Sequence, residues 1–161
     1  MSTRRNQTTT GYHRILWPTD FSPLAKAALP HLLKLAGGSQ GELVILHVLP
    51  TLAAYAYQDA AWLPWDKIEQ ENRAVGERGL QRLETQIHTS RPDLRIRGIL
   101  ATGVAVDQII QAARRFKCDL VVLATHGRTG LKHVLMGSVA ENVVRRASCP
   151  VLTVRPRGFR G

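Results

Sequence analysis

Cysteine is almost absent from this chain. Cys118 and Cys149 are the two in 161 residues, far apart and without Cys-x-x-Cys spacing, which argues against a redox or metal pair. Each stands just ahead of a predicted strand and reads as a buried structural thiol, close enough to the other to oxidise if the two strands prove adjacent. No apolar stretch is long enough to span a membrane, and Met1 to Thr10 lacks the apolar core of a signal peptide. Cytoplasm is therefore the expected location. The usual nucleotide fingerprints are missing too. No Gly-x-x-x-x-Gly-Lys-Ser/Thr loop occurs, and Gly127-Arg128-Thr129-Gly130 is too short and too late to be a dinucleotide turn, which argues against a phosphate-loop ATPase or a nicotinamide enzyme. Although the net charge is +10, no basic run exceeds two residues. Arg4, Arg5, Arg157 and Arg160 fall in the ends, and Arg114-Arg115 and Arg145-Arg146 fall on predicted helices as solvated faces. Such charge attracts polyanions non-specifically, so nucleic acid is the least favoured partner.

What is present is ordinary globular composition, 44% hydrophobic and 21% charged, in a length that suits one domain. The expected organisation is a tail over 1–12, one domain over 13–155 and a short basic tail over 156–161, with no repeat and no linker. His13 to Pro18 reads as a strand stopped by proline. Ser22 and Pro23 then open a helix that Pro30 should kink or divide. Leu43 to Val48 reads as a strand buried on both faces. The segment Thr51 to Trp65 shows neither period and is read as a binding loop, a dimer contact or a short extra helix. Asp66 to Ser90 reads as a long helix with Ile68, Val75, Leu83 and Ile87 inward. Leu94 to Leu100 alternates apolar and basic residues as an edge strand does, leaving Arg95 and Arg97 at the surface. A helix from about Val106 to Lys117 and a final strand, Val151 to Val154, complete the alternation. The expected fold is α/β, a Rossmann-like five-stranded parallel sheet of order 3-2-1-4-5 with helices on both faces.

The most informative stretch runs from Leu120 to Val139. An apolar strand ends at Ala124, a small-residue turn Thr125-His126-Gly127 follows, and nine residues later Gly137-Ser138 opens a helix. A helix N-terminus offers unbonded amides and the positive end of a dipole, a natural place for phosphate. The same glycines also fit ordinary turns, and Ser138 also fits a plain cap. In open parallel sheets ligands sit beyond the carboxyl ends of strands where the order reverses. That brings Pro18-Thr19-Asp20, His47-Val48 and Ala124 to Gly127 into one crevice. Asp20 suits a ribose hydroxyl or an indirectly held cation, or else caps its own turn, whereas Trp17 reads as core.

These segments together resemble the universal stress protein family. The carriers are Ile15 to Ser22, Leu46-His47-Val48, Ala124-Thr125-His126-Gly127 with nine residues to Gly137-Ser138, and Cys149 to Val154. The resemblance implies ATP, with Mg²⁺, in this crevice. It implies Asp20 and Val48 near the adenosine, and Gly127, Gly137, Ser138 and Val139 holding phosphate through amides and a hydroxyl. Leu123, Ala124, His126 and Arg128 would line the same pocket beside Pro18 and Thr19. Alanine at 124 replaces the motif's first glycine, which matters if that position needs positive φ. The resemblance further implies a homodimer joined through Val151, Leu152, Thr153 and Val154, and an unidentified protein partner. No general base accompanies the motif, so slow or absent turnover is expected. The alternative is a family dimer that binds no nucleotide.

Overall fold

The computed structural model describes residues 11–37, 41–51, 64–125 and 136–155. In chain order the elements are β1 (Arg14–Pro18), α1 (Pro23–Lys26), α2 (Leu29–Leu35), β2 (Glu42–Leu49), α3 (Trp65–Ser90), β3 (Arg95–Thr102), α4 (Ala105–Arg115), β4 (Leu120–Ala124), α5 (Ser138–Arg146) and β5 (Val151–Val154). All four strand pairings are parallel, and the sheet runs β3-β2-β1-β4-β5. This is the expected α/β fold.

Two apolar layers enclose the sheet. Alternate residues of β1 and β2, such as Ile15, Trp17, Leu43 and Ile45, pack with Ala28 at the N-cap of α2, with Leu32 of α2 and with Leu80, Leu83 and Ile87 of α3. The intervening residues Leu16, Val44 and Leu46 pack with Ile109, Ala113, Ala140 and Val143 of α4 and α5. Burial on both faces explains why β1 and β2 read as near-continuous apolar runs. Trp17 is fully buried in the first layer, as expected of a core residue, and its Nε1–H has no hydrogen-bond partner among the described residues.

Local details refine the sequence reading. Ser22 Oγ accepts from the Ala25 amide at 3.1 Å, capping α1, and Pro30 divides the first helical stretch into α1 and α2. In α3 the inward line is Gly76, Leu80, Leu83 and Ile87, and Val75 is 53% exposed, contrary to expectation. The reason is the 100° step between neighbours, since Val75 lies one residue off the line that Leu80, Leu83 and Ile87 define. Helix α4 ends at Arg115 rather than near Lys117, because Lys117 takes φ +51, outside the helical region. Residues 52–63, most of the segment left open between β2 and α3, lie outside the described residues, as do most of both expected tails.

Strands β4 and β5 are neighbours, with Val121 opposite Val151, so Cys118 and Cys149 do come together at the amino ends of adjacent strands. Both are unbridged. Burial, with a smaller contribution from Cys149, pushes the Cys118 thiol up to about 12. Burial also raises Cys149.

Candidate nucleotide-binding site

At the carboxyl ends of β1, β2 and β4 lies a cleft of about 280 Å³. Its first wall is the turn after β1. The Thr19 amide donates to Leu46 O (2.8 Å), tying the turn to β2, while Thr19 Oγ1 accepts from the Phe21 amide (3.1 Å). Asp20 Oδ1 accepts from the Ser22 amide (3.0 Å). The residue types that favour local side-chain to backbone bonds thus build the turn, and Pro18, Thr19 and Asp20 all face the cleft. The capping role weighed for Asp20 is real, and it engages one carboxylate oxygen.

The second wall comes from β4 and the start of α5. Leu123, Ala124, Gly137, Ser138 and Val139 line it, with Val48 of β2 nearby. Ala124 is the last residue of β4, in register with Val154, and does not have positive φ. A methyl group there therefore costs no backbone strain. The Gly137 amide donates to Thr125 O at 2.8 Å, and a Cβ on Gly137 would lie 3.1 Å from that same oxygen. This corrects one expectation, since the Gly137 N–H already has a partner within the protein. Ser138 is not the cap either. Gly137 occupies the N-cap position and Ser138 is the first helical residue. The first helical bond runs from Glu141 N to Gly137 O. The amides of Ser138, Val139 and Ala140 therefore precede any intrahelical partner, and the N-cap residue Gly137 has no side chain to cap them.

His126, Gly127 and Arg128 lie outside the described residues, so nine of the twelve expected site residues are placed, and all nine line this one cleft. Sequence reasoning missed the apolar floor: Ala25, Leu46, Ala105, Ile109 and Ala140. Ile109 was assigned to the core, and it serves both, because it packs in the second apolar layer and, one turn after Ala105, also lines the cleft. His47 lines the cleft as well; the sequence placed it at the crevice with Val48 but gave it no role.

Chemically the described part of the cleft joins apolar side chains, one carboxylate and the N-terminus of α5. Among the described lining residues there is no lysine or arginine, so a bound anion here would be met by amides and the α5 dipole. Among the described residues no group of three or more His, Cys, Asp or Glu side chains is arranged to hold a metal ion. No described helix is long and apolar enough to cross a membrane.

A parallel sheet of this order, with its cleft at the switch between β1 and β4, defines a doubly wound α/β protein. Residues 11–155 match the universal stress protein family as a whole, and the chain belongs to that family. The universal stress protein MJ0531 of Methanocaldococcus jannaschii is similar at 29% identity, over 89% of this chain and 82% of its own length. The solved structure of MJ0577 from the same organism superposes with a TM-score of 0.74 at 28% identity, covering 91% of this chain and 98% of that one. A universal stress protein solved in complex with cAMP superposes at 0.64 with 22% identity, over 90% and 98% of the two chains, which is a likeness of fold.

Proposed function

We propose that this universal stress protein binds ATP, with Mg²⁺, in the cleft at the carboxyl ends of β1, β2 and β4, and that its nucleotide state alters its contact with a protein partner. One observation carries the reading: the first-turn amides of Ser138, Val139 and Ala140, which have no intrahelical partner, belong to residues that line the same cleft as Asp20. Phosphate suits the helix end. The apolar lining suits a base, and Asp20 and Val48 line the same cleft, which supports assigning them to the sugar and base. Ser138 lines the same cleft, and a hydroxyl there suits donation to a phosphate oxygen. His126, Gly127 and Arg128 are assigned to the same pocket by their place in the motif. Mg²⁺ would be carried by the phosphates, with Asp20 as an indirect partner at most, because the described residues offer no ligand cluster. The protein solved with cAMP holds an adenine nucleotide, which agrees with this ligand class.

The proposed assembly is a homodimer through β5. Turnover is slow or absent in this reading, because no described residue lining the cleft other than Asp20 and His47 is an acid or a base. The test is calorimetric titration of ATP with Mg²⁺ into ligand-stripped protein, beside the Gly137→Val variant. Valine at the N-cap sends a branched side chain toward Thr125 O and the α5 amides. Micromolar binding that valine abolishes is the expected result. Absence of heat in the wild-type protein at more than one temperature overturns the proposal and leaves a family dimer that acts through partners alone.

A further inference from the structure

Helix α3 carries two glycines in its interior, Gly76 and Gly79, which are poor choices for a helix. Their reason is tertiary. A Cβ on Gly79 would lie 2.7 Å from both Cε2 and Cζ of Phe21. One on Gly76 would lie 2.7 Å from Leu100 Cδ1 and 3.3 Å from His47 Cδ2. The missing side chains form a shallow furrow that receives two rings.

Those rings touch each other, with the Phe21 and His47 centroids 4.2 Å apart. Phe21 sits at φ +64, a conformation that a bulky residue adopts only when its surroundings hold it there. His47 is buried, and its Nδ1 lies 2.7 Å from Thr19 O. A carbonyl only accepts, so Nδ1 carries the hydrogen and donates. Thr19 and Asp20 line the cleft, and their side chains hold the Phe21 and Ser22 amides. The turn that presents Asp20 is thus held from behind by an imidazole N–H and a ring, both seated on α3.

We propose that His47 is a positioning residue: by fixing the Thr19 carbonyl it sets the Thr19-Asp20 turn, and with it the affinity of the cleft for the nucleoside half of an adenine nucleotide. The proposal rests on the nucleotide reading given above. Its mechanical part stands apart from that reading and is tested apart from it.

The experiment compares wild type with His47→Asn, His47→Gln and His47→Leu. Asparagine places an amide N–H where Nδ1–H is, whereas glutamine places it one carbon further out. Two quantities are read: the Kd for ATP with Mg²⁺, and the hydrogen-exchange rates of the Phe21 and Ser22 amides. His47→Gln and His47→Leu should weaken ATP roughly tenfold, the size expected for one buried hydrogen bond left unmade. The two amides should exchange faster in both, and His47→Asn should stay near wild type in both readouts. Should His47→Leu fail to fold, the Asn and Gln pair decides. Equal behaviour of Asn and Gln overturns the proposal, as does a lower melting temperature with Kd unchanged. If wild type takes up no ATP, the nucleotide reading falls, and the exchange rates alone then judge the positioning role: faster exchange in Gln but not Asn sustains it, and no difference overturns it.

Discussion

The Glu84 carboxylate of α3 accepts the amide hydrogen of Gly98 in the edge strand β3. Arg95 N bonds inward to Gly41 O, so three residues later the Gly98 N–H points away from β2, toward the open edge. An acidic side chain thus occupies a donor that would otherwise invite another strand. A Cβ on Gly98 would stand 2.5 Å from the carboxylate oxygen, which explains the glycine. Glu84→Ala and Gly98→Ala should each lower stability by about 1 kcal/mol in urea titrations, because each removes the same bond. The double variant should cost clearly less than the sum. Strict additivity would show that the two residues are not coupled.

At the opposite edge, β5 has no comparable guard among the described residues. Thr125 N bonds to Val154 O and Val121 N to Pro150 O, so the backbone groups of Val151 and Thr153 face outward. If β5 joins two copies, Thr153→Pro removes an outward donor without touching the β4 ladder. Light scattering should then change from dimer to monomer. A monomeric wild type, or a dimer that tolerates the proline, would refute pairing through β5.

Gly79→Ala sets two effects against each other. Alanine improves helix propensity by about 1 kcal/mol, but its Cβ would press on Phe21 ring atoms 2.7 Å away, and overpacking costs roughly 1–3 kcal/mol. Because His47 backs the ring, contact should win. We expect net destabilisation of about 1 kcal/mol by thermal melting. A stabilised variant would mean that Phe21 moves aside at no cost.

The buried thiol of Cys118 gives a pH dependence with a definite sign. Its pKa is pushed from 9.0 up to about 12 by burial, so between those values the unfolded chain ionises while the folded one stays protonated. The stability that this thiol contributes is present in full below about pH 9 and is lost as pH rises toward 12. Melts of wild type and Cys118→Ala across that window should show the wild-type advantage shrinking with pH. In the folded protein at about pH 8, alkylation of Cys118 should be much slower than in urea. A pH-independent difference between the two proteins would contradict the burial argument.

The alternation of strand and helix, and with it the sheet, was legible because period and punctuation are local. Pro18, Pro30 and Pro50 end or divide segments wherever they fall, and strands covered on both faces betray themselves by composition. Most of the cleft was legible for the same reason, since strand order alone brings the ends of β1, β2 and β4 together. Val75 misled because one residue of helical phase separates inward from outward, and only the packed sheet fixes that phase.

By itself the sequence determined the order of elements, the crevice and the small residues around it, because these follow from local preference and from a topology with few alternatives. Tertiary structure alone decided which hydrogen bonds the site keeps. It gave the Gly137 amide to Thr125, started the helix at Ser138 rather than capping it there, and let Ala124 sit in ordinary strand conformation. It also turned two unpromising helix glycines into the seat of Phe21 and His47. Such choices depend on distances of a few tenths of an ångström between segments remote in the chain, which residue spacing does not encode.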